Sequence, residues 1–165
     1  MHLTPDRAVF QKRLEALPLV TFKAGETVLA AGSTTGRLLI LKTGKVSIVK
    51  EGIEIAKVAE PGAVFGEISA LLDQPHAAHV RALEASQFHV ADAAALLGED
   101  PIALLYVAAV LARRLDSATQ ALIELKTQLQ ADQPPTEIGQ TIRKLESILS
   151  PGELRYAGYP FDSFA

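Results

Sequence analysis

The residues best suited to chemistry fall in one stretch, GAVFGEISALLDQPHAAHVRALE, which starts at Gly62 and holds Gly66, Glu67, Ser69, His76 and His79. A glycine at 66 lets the backbone approach a ligand closely. A helical turn directly after it would offer the amides of Glu67, Ile68 and Ser69 to an anion before any intrahelical acceptor claims them. A phosphate suits such donors. The Glu67 carboxylate opposes that anion unless it turns to a sugar hydroxyl, whose hydrogen it can accept. His76 and His79 lie beyond the turn. A protonated His76 supplies a cation to the same anion, and an imidazole pKa of about 6.5 makes this contribution depend on pH.

Simpler roles stand beside these. Gly66 serves equally as a turn glycine and Glu67 as an exposed solubilising charge. His76 either touches a phosphate or lies in an exposed loop, and His79, which opens an apolar strand, suits a structural role. A zinc site built from Glu67, His76 and His79 lacks a fourth ligand, so no metal site is assigned. Of the other histidines, His89 sits in a strand and His2 near the terminus. No activated nucleophile, complete metal set or carboxylate pair emerges, so no catalytic residue is assigned and the chain is not read as an enzyme.

The elements that must position this stretch are mostly short strands. An amphipathic helix is expected from Asp6 to Leu17, ended by Pro18. Strands are then expected over Leu19 to Lys23, Thr27 to Ala30, Arg37 to Lys42, Lys45 to Lys50, Ile53 to Ala59, His79 to Leu83 and Gln87 to Ala91. Gly25, Gly32, Gly36, Gly44, Gly52 and the pair Pro61 and Gly62 punctuate them in the rhythm of an antiparallel roll or barrel rather than of βαβ units. Between the strands beginning near Val64 and His79, residues Gly66 to Pro75 carry Ile68, Leu71 and Leu72, which suggest one helical turn.

From Pro101 to Leu129 the period becomes that of a long helix, about 40 Å at roughly 1.5 Å per residue. Leu104, Ala108, Leu111, Leu115, Ala118, Leu122, Leu125 and Leu129 alternate by four and three, the spacing of a heptad seam. The preferred expectation is a parallel pairing with the same helix of a second chain, making a homodimer through residues 101–129. Packing along its own β region or tail, or against a protein effector, are the alternatives. A second helix follows, with Thr136 as cap and Ile138, Ile142, Leu145 and Leu149 as its stripe, until Pro151 and Gly152. The aromatic tail, with Tyr156, Tyr159, Phe161 and Phe164, is expected to dock on the body or on a partner subunit.

Composition narrows the classes. The 165 residues contain no Cys, which excludes disulfides, thiolate nucleophiles and sulfur-ligated metals. The amino-terminal residues lack a secretory pattern and no apolar run is long enough to span a bilayer, so a cytoplasmic protein without membrane contact is expected. A net charge of -3 gives no general attraction to nucleic acid or anionic membranes.

The segments KAGETVLAAGS, LILKTGKVSIV, PGAVFGEISALL, PHAAHVRA and LARRLDSATQALIEL together resemble the cyclic nucleotide-binding domain, in particular the catabolite-activator type of bacterial regulator. The resemblance spans roughly Leu14 to Leu129. It implies a mainly β fold: an eight-stranded antiparallel, jelly-roll-like β roll with a short N-terminal helix, a cassette helix and a long C-terminal dimerisation helix. Residues 1–129 would form this domain and residues 130–165 a C-terminal helix and tail.

Carried onto this chain, the resemblance places Gly66 and the following amides of Glu67, Ile68 and Ser69 on a cyclic phosphate. Glu67 would take the ribose 2'-hydroxyl, and Ala77 would contribute its backbone amide. Thr119 would reach the base from the partner chain, whereas Ala118, at the preceding matched position, cannot hydrogen-bond. The family's Pro-Arg-Ala-Ala-Thr ending reads here as Pro75, His76, Ala77, Ala78, His79, so the permanent guanidinium is missing. A charged hydrogen bond is worth about 1.5–3 kcal/mol, so its loss weakens a nucleotide roughly tenfold to a hundredfold unless His76 replaces it.

The family's DNA-binding module is also not expected. Residues 128–165 carry Arg143, Lys144 and Arg155 against Asp132, Glu137, Glu146, Glu153 and Asp162, too few positive charges to meet DNA. The resulting expectation is a stand-alone sensor that binds a cyclic nucleotide, cAMP ahead of cGMP, and signals through its C-terminal helix. The alternative is a degenerate, nucleotide-free dimerisation or protein-interaction module.

Overall fold

The computed structural model describes residues 7–131 and 136–149. The chain divides into two compact units, Met1–Leu111 and Ala112–Ala165. The first begins with α1 (Arg7–Leu14), β1 (Leu19–Phe22), β2 (Thr27–Leu29), β3 (Arg37–Thr43), β4 (Val46–Lys50) and β5 (Ile53–Val58). It continues through β6 (Val64–Phe65), α2 (Glu67–Leu72), β7 (His79–Ala82), β8 (Ser86–Asp92) and α3 (Ala93–Glu99) into the start of α4 (Pro101–Ala131). The rest of α4 and α5 (Thr136–Leu149) belong to the second unit. His2 and the aromatic tail of Tyr156, Tyr159, Phe161 and Phe164 lie outside the described residues.

The eight strands do not form one jelly-roll-like β roll. They make two separate four-stranded antiparallel sheets, ordered β1-β8-β3-β6 and β2-β7-β4-β5, neither of them closed. The physical reason lies in the connections. Apart from β4 to β5, every pair of consecutive strands is split between the two sheets, so the hydrogen-bonded neighbours are distant in sequence. Gly44 marks one such corner. It takes φ 103 as the chain leaves β3, and a Cβ there would lie 2.3 Å from Ser86 Oγ and 2.5 Å from Ser86 Cα. Ser86 Oγ in turn accepts from the Lys45 amide at 3.1 Å, so the β3–β4 and β7–β8 crossings are fastened to each other rather than joined by a ladder.

Burial fits the place of β3 as an inner strand beside β8. Its run Leu38, Leu39, Ile40 and Leu41 is buried throughout, because alternate side chains leave opposite faces and both faces are covered. Leu39 and Leu41 join Phe65 and Phe88 of the same sheet and meet Leu29, Val46, Val80 and Ala82 of the other. Phe88 is fully buried there, edge-on to Phe22 and Phe65. On the opposite face Leu38, Ile40 and Val64 meet Phe10 and Leu14 of α1, Ala93 and Leu97 of α3, and Ala103 and Val107 of α4.

α1 stops at Leu14, three residues before the expected end. The Ala16 and Leu17 amides turn back to the Arg13 and Leu14 carbonyls at 3.2 and 3.0 Å, and Pro18 has no amide to continue the ladder. Asp92 caps α3, its side chain accepting from the Ala95 amide at 2.8 Å. Asp100 then caps α4 by accepting from Ile102 at 2.9 Å and Ala103 at 3.3 Å, while Arg13 of α1 pairs with its carboxylate. Tyr106 stacks on Phe10 at a centroid distance of 3.7 Å and donates its hydroxyl to the Gly62 carbonyl at 3.0 Å.

In the expected seam Leu104, Ala108, Leu115, Ala118 and Leu125 are exposed, and Leu122 and Leu129 are half-buried. Leu111 instead packs at the margin of the first unit's core. In α5, Ile142 is buried while Ile138 and Leu145 are exposed. No single described helix is long and apolar enough to cross a membrane.

Candidate functional site

The geometry around Gly66 follows from its missing side chain. Gly66 lies between β6 and α2 at φ 90 and ψ -5, a left-handed conformation that L side chains resist. A Cβ at this position would stand 2.4 Å from the Arg37 carbonyl oxygen and 3.7 Å from Cε1 of His76. Glycine therefore lets the turn close between the start of β3 and the His76 ring.

The short α2 that follows is held by its own residues. The Ala70 amide donates to the Gly66 carbonyl at 3.1 Å. At the other end Asp73 adopts φ 48, its amide donates to the Ser69 carbonyl, and Ser69 Oγ donates to the Gln74 carbonyl at 2.6 Å. These bonds turn the chain back toward His76. The expected helical turn in Gly66 to Pro75 is thus present, and Ser69 closes it with its side chain as well as contributing an amide to its start.

The return strand is clasped by the β2–β3 connection. His76 donates its amide to the Ser33 carbonyl at 2.9 Å and accepts from the Gly32 amide at 2.8 Å. Its Nε2 lies 2.9 Å from Thr35 Oγ1, which also accepts from the Arg37 amide at 3.3 Å. His79 Nδ1 accepts from the Ala31 amide at 3.2 Å. Ser33, Thr35 and Arg37 were not singled out by sequence. They sit some thirty residues before the cassette, and only the GSTTG turn composition hints that this connection is sharply folded.

The expected site residues are distributed as follows. Glu67 and Ser69 are buried, at 3% and 8% exposure, so Glu67 is not a solubilising surface charge. His76 is buried at 6%, which removes the exposed-loop alternative. Ala77 and His79 are exposed, and Ile68 turns an exposed side chain outward. Gly66, Glu67, Ser69 and His76 are thus gathered in one place. Thr119 belongs to the second unit, where its hydroxyl donates to the Leu115 carbonyl within α4 at 2.8 Å.

Electrostatics run against the expected His76 cation. Burial lowers the His76 pKa, and the negative charge of Glu67 opposes this only in part. The ring is therefore neutral at neutral pH, a state that the Thr35 contact satisfies. His89 on β8 is also buried and its pKa is lowered, first by burial and then by the Lys42 charge. Among the described residues no group of His, Asp and Glu side chains is arranged to hold a metal ion.

Two glycine-cornered sheets and a left-handed glycine leading a short helix make up the fold against which known proteins are compared. Residues 19–98 match the family model described as the cyclic nucleotide-binding domain. An uncharacterised ABC transporter ATP-binding protein of Mycobacterium tuberculosis is 42% identical over 87 residues, 50% of this chain and 25% of that protein. A cAMP-dependent protein kinase regulatory subunit of Emericella nidulans is 36% identical over 72 residues, 43% of this chain and 18% of that protein. The crystal structure of the Thermus thermophilus catabolite activator protein aligns with a TM-score of 0.60 at 25% identity, covering 73% of this chain and 60% of that one.

Residues 19–98 thus match the cyclic nucleotide-binding domain, and the fold is similar to that of the catabolite activator protein. The chain spans a quarter or less of the length of these two curated relatives.

Proposed function

We propose that this chain is a regulatory module that binds a cyclic nucleotide noncovalently, cAMP ahead of cGMP, at the Gly66–His76 cassette. The observation that carries the reading is the Gly66 turn. A residue with φ 90 and no room for a Cβ sits within the segment matched to the cyclic nucleotide-binding domain. The amides of Glu67, Ile68 and Ser69 would hold the phosphate, with the Ala77 amide beside them, and Glu67 the ribose hydroxyl.

Occupancy would reach α4 through Gly62, four residues before Gly66, because Tyr106 bonds its carbonyl. Coupling of this kind requires the ligand to bind one arrangement of Gly62 and Tyr106 more tightly than another. The exposed Leu104, Ala108, Leu115, Ala118 and Leu125 support a homodimer through residues 101–129, from which Thr119 of a partner would meet the base. A protein effector is the expected recipient of the signal.

Titration calorimetry of the chain at pH 7.5 tests the reading. Saturable heat with cAMP, larger in affinity than with cGMP, is the expected result. No heat with either nucleotide at high micromolar protein overturns it. The burial of a neutral His76 favours one second reading, a nucleotide-free dimerisation module. A stable dimer by light scattering together with calorimetric silence would select that reading.

A further inference from the structure

A phosphate bound beside Gly66 would find little positive charge in the cassette itself. Glu67 is an acid, His76 is buried against Thr35, and His79 spends Nδ1 on the Ala31 amide. The segment clasping the cassette does carry a cation. We infer that Arg37 supplies the positive charge for the phosphate, through its exposed guanidinium at the start of β3; the inference rests on the nucleotide-binding reading above.

Three observations place Arg37 there. Its carbonyl oxygen is the atom nearest to where a Gly66 Cβ would stand, at 2.4 Å. The β3–β6 ladder pairs Ile40 with Val64 and Leu39 with Phe65, so Arg37 lies two residues before the first paired residue of β3 and the Gly66 turn directly after the last of β6. Its amide donates to Thr35 Oγ1, the same oxygen that meets His76.

The guanidinium is also uncommitted. Arg37 is exposed and enters neither of the ion pairs found among the described residues. Asp92 faces it across the β3–β8 ladder, but that carboxylate caps α3 through the Ala95 amide. Arg81, the basic residue nearest in sequence to the cassette, is placed differently. It alternates with Val80 and Ala82, which fill the core between the sheets, and so lies on the outer face of its own sheet. A fixed guanidinium also suits phosphate better than an imidazole whose charge comes and goes with pH.

The test is calorimetry of wild type, Arg37→Ala, Arg37→Lys, His76→Arg and the Arg37→Ala/His76→Arg pair, with cAMP and with adenosine as the phosphate-free probe. Arg37→Ala is expected to weaken cAMP tenfold to a hundredfold while leaving adenosine within twofold. Arg37→Lys should retain part of the affinity, and His76→Arg should restore binding in the Arg37→Ala background.

An Arg37→Ala protein that binds cAMP within twofold of wild type overturns the assignment. Equal losses for cAMP and adenosine also overturn it, because they report a structural role. If wild type is silent but His76→Arg binds, the pocket stands and Arg37 is refuted as its cation. Silence in both removes the nucleotide-binding reading itself, and this inference with it.

Discussion

Replacing Gly66 with alanine tests whether the cassette turn is built on the absence of a side chain. Two costs combine. An L residue at φ 90 costs roughly 1–2 kcal/mol relative to glycine. The new Cβ would also stand 2.4 Å from the Arg37 carbonyl oxygen, about 0.6 Å inside the 3.0 Å limit of real Cβ contacts. That oxygen is backbone at the start of an inner strand, so it yields only if β3 or the β6–α2 turn shifts. Overpacking of this kind costs typically about 1–3 kcal/mol. The expected destabilisation is about 2–5 kcal/mol.

Gly25→Ala is the matched control. Gly25 has φ 87, but nothing lies within 4 Å of its Cβ position. It should show the conformational cost alone, roughly 1–2 kcal/mol. Urea unfolding of both variants, followed by far-ultraviolet circular dichroism, gives the comparison. If Gly66→Ala is no more costly than Gly25→Ala, the close approach to Arg37 is not a constraint and the reasoning about the turn fails.

Other consequences can be measured on the same protein. His76 and His89 both have pKa values lowered from about 6.5 by burial, so the unfolded chain binds more protons as pH falls below that value. Stability should be level from pH 8 to 7 and fall from 6.5 to 5.5, by up to about 1.4 kcal/mol per pH unit for each proton taken up. His76→Gln should make the urea midpoint less steep in that window, and an unchanged slope would contradict it. Phe88→Ala, at a fully buried position between the sheets, should cost about 3–5 kcal/mol in the same assay. A loss under 1 kcal/mol would show that the inter-sheet core does not depend on that ring.

The Tyr106–Gly62 contact gives a paired test. Tyr106→Phe keeps the ring on Phe10 and loses only the hydroxyl bond, about 0.5–1.5 kcal/mol. Gly62→Ala places a Cβ 2.7 Å from that hydroxyl, so the double variant should be less destabilised than the sum of the two singles. Strict additivity would argue against the contact.

Parts of this molecule could be read in advance because single residues declare them. Gly66 before Glu67, Ile68 and Ser69 marked the cassette turn, and the structure gives that glycine a backbone conformation and a neighbour that other residues would not accept. The strand expected over Arg37 to Lys42 is present as β3, although that expectation did not extend to its run Leu38 to Leu41 being covered on both faces. The division into two sheets was hidden, because alternation and turn glycines specify strands without naming their partners. β3 lies against β8 some fifty residues later, not against β4.

Other local signals lie in the sequence itself. Asp92 followed by three alanines is a helix cap and start, and it opens α3. In α4 the heptad leucines share the helix with an inward set of Ala103, Tyr106 and Val107, whose spacing by three and one marks the face on the core. At the site, His76 looked like a cation in the sequence. Its burial and its bond to Thr35 depend on the distant β2–β3 connection, which no spacing within the cassette reveals.

Because no strand ladder joins the two sheets, Leu39, Leu41, Phe65 and Phe88 rest on Leu29, Val46, Val80 and Ala82 through contacts that carry no direction. A small sideways slip of one sheet over the other would exchange one set of apolar neighbours for another without severing any inter-strand hydrogen bond. Bending within either sheet has no such freedom. Any rearrangement of one sheet over the other would meet its limit at glycine corners such as Gly44, where Ser86 leaves no room even for a Cβ.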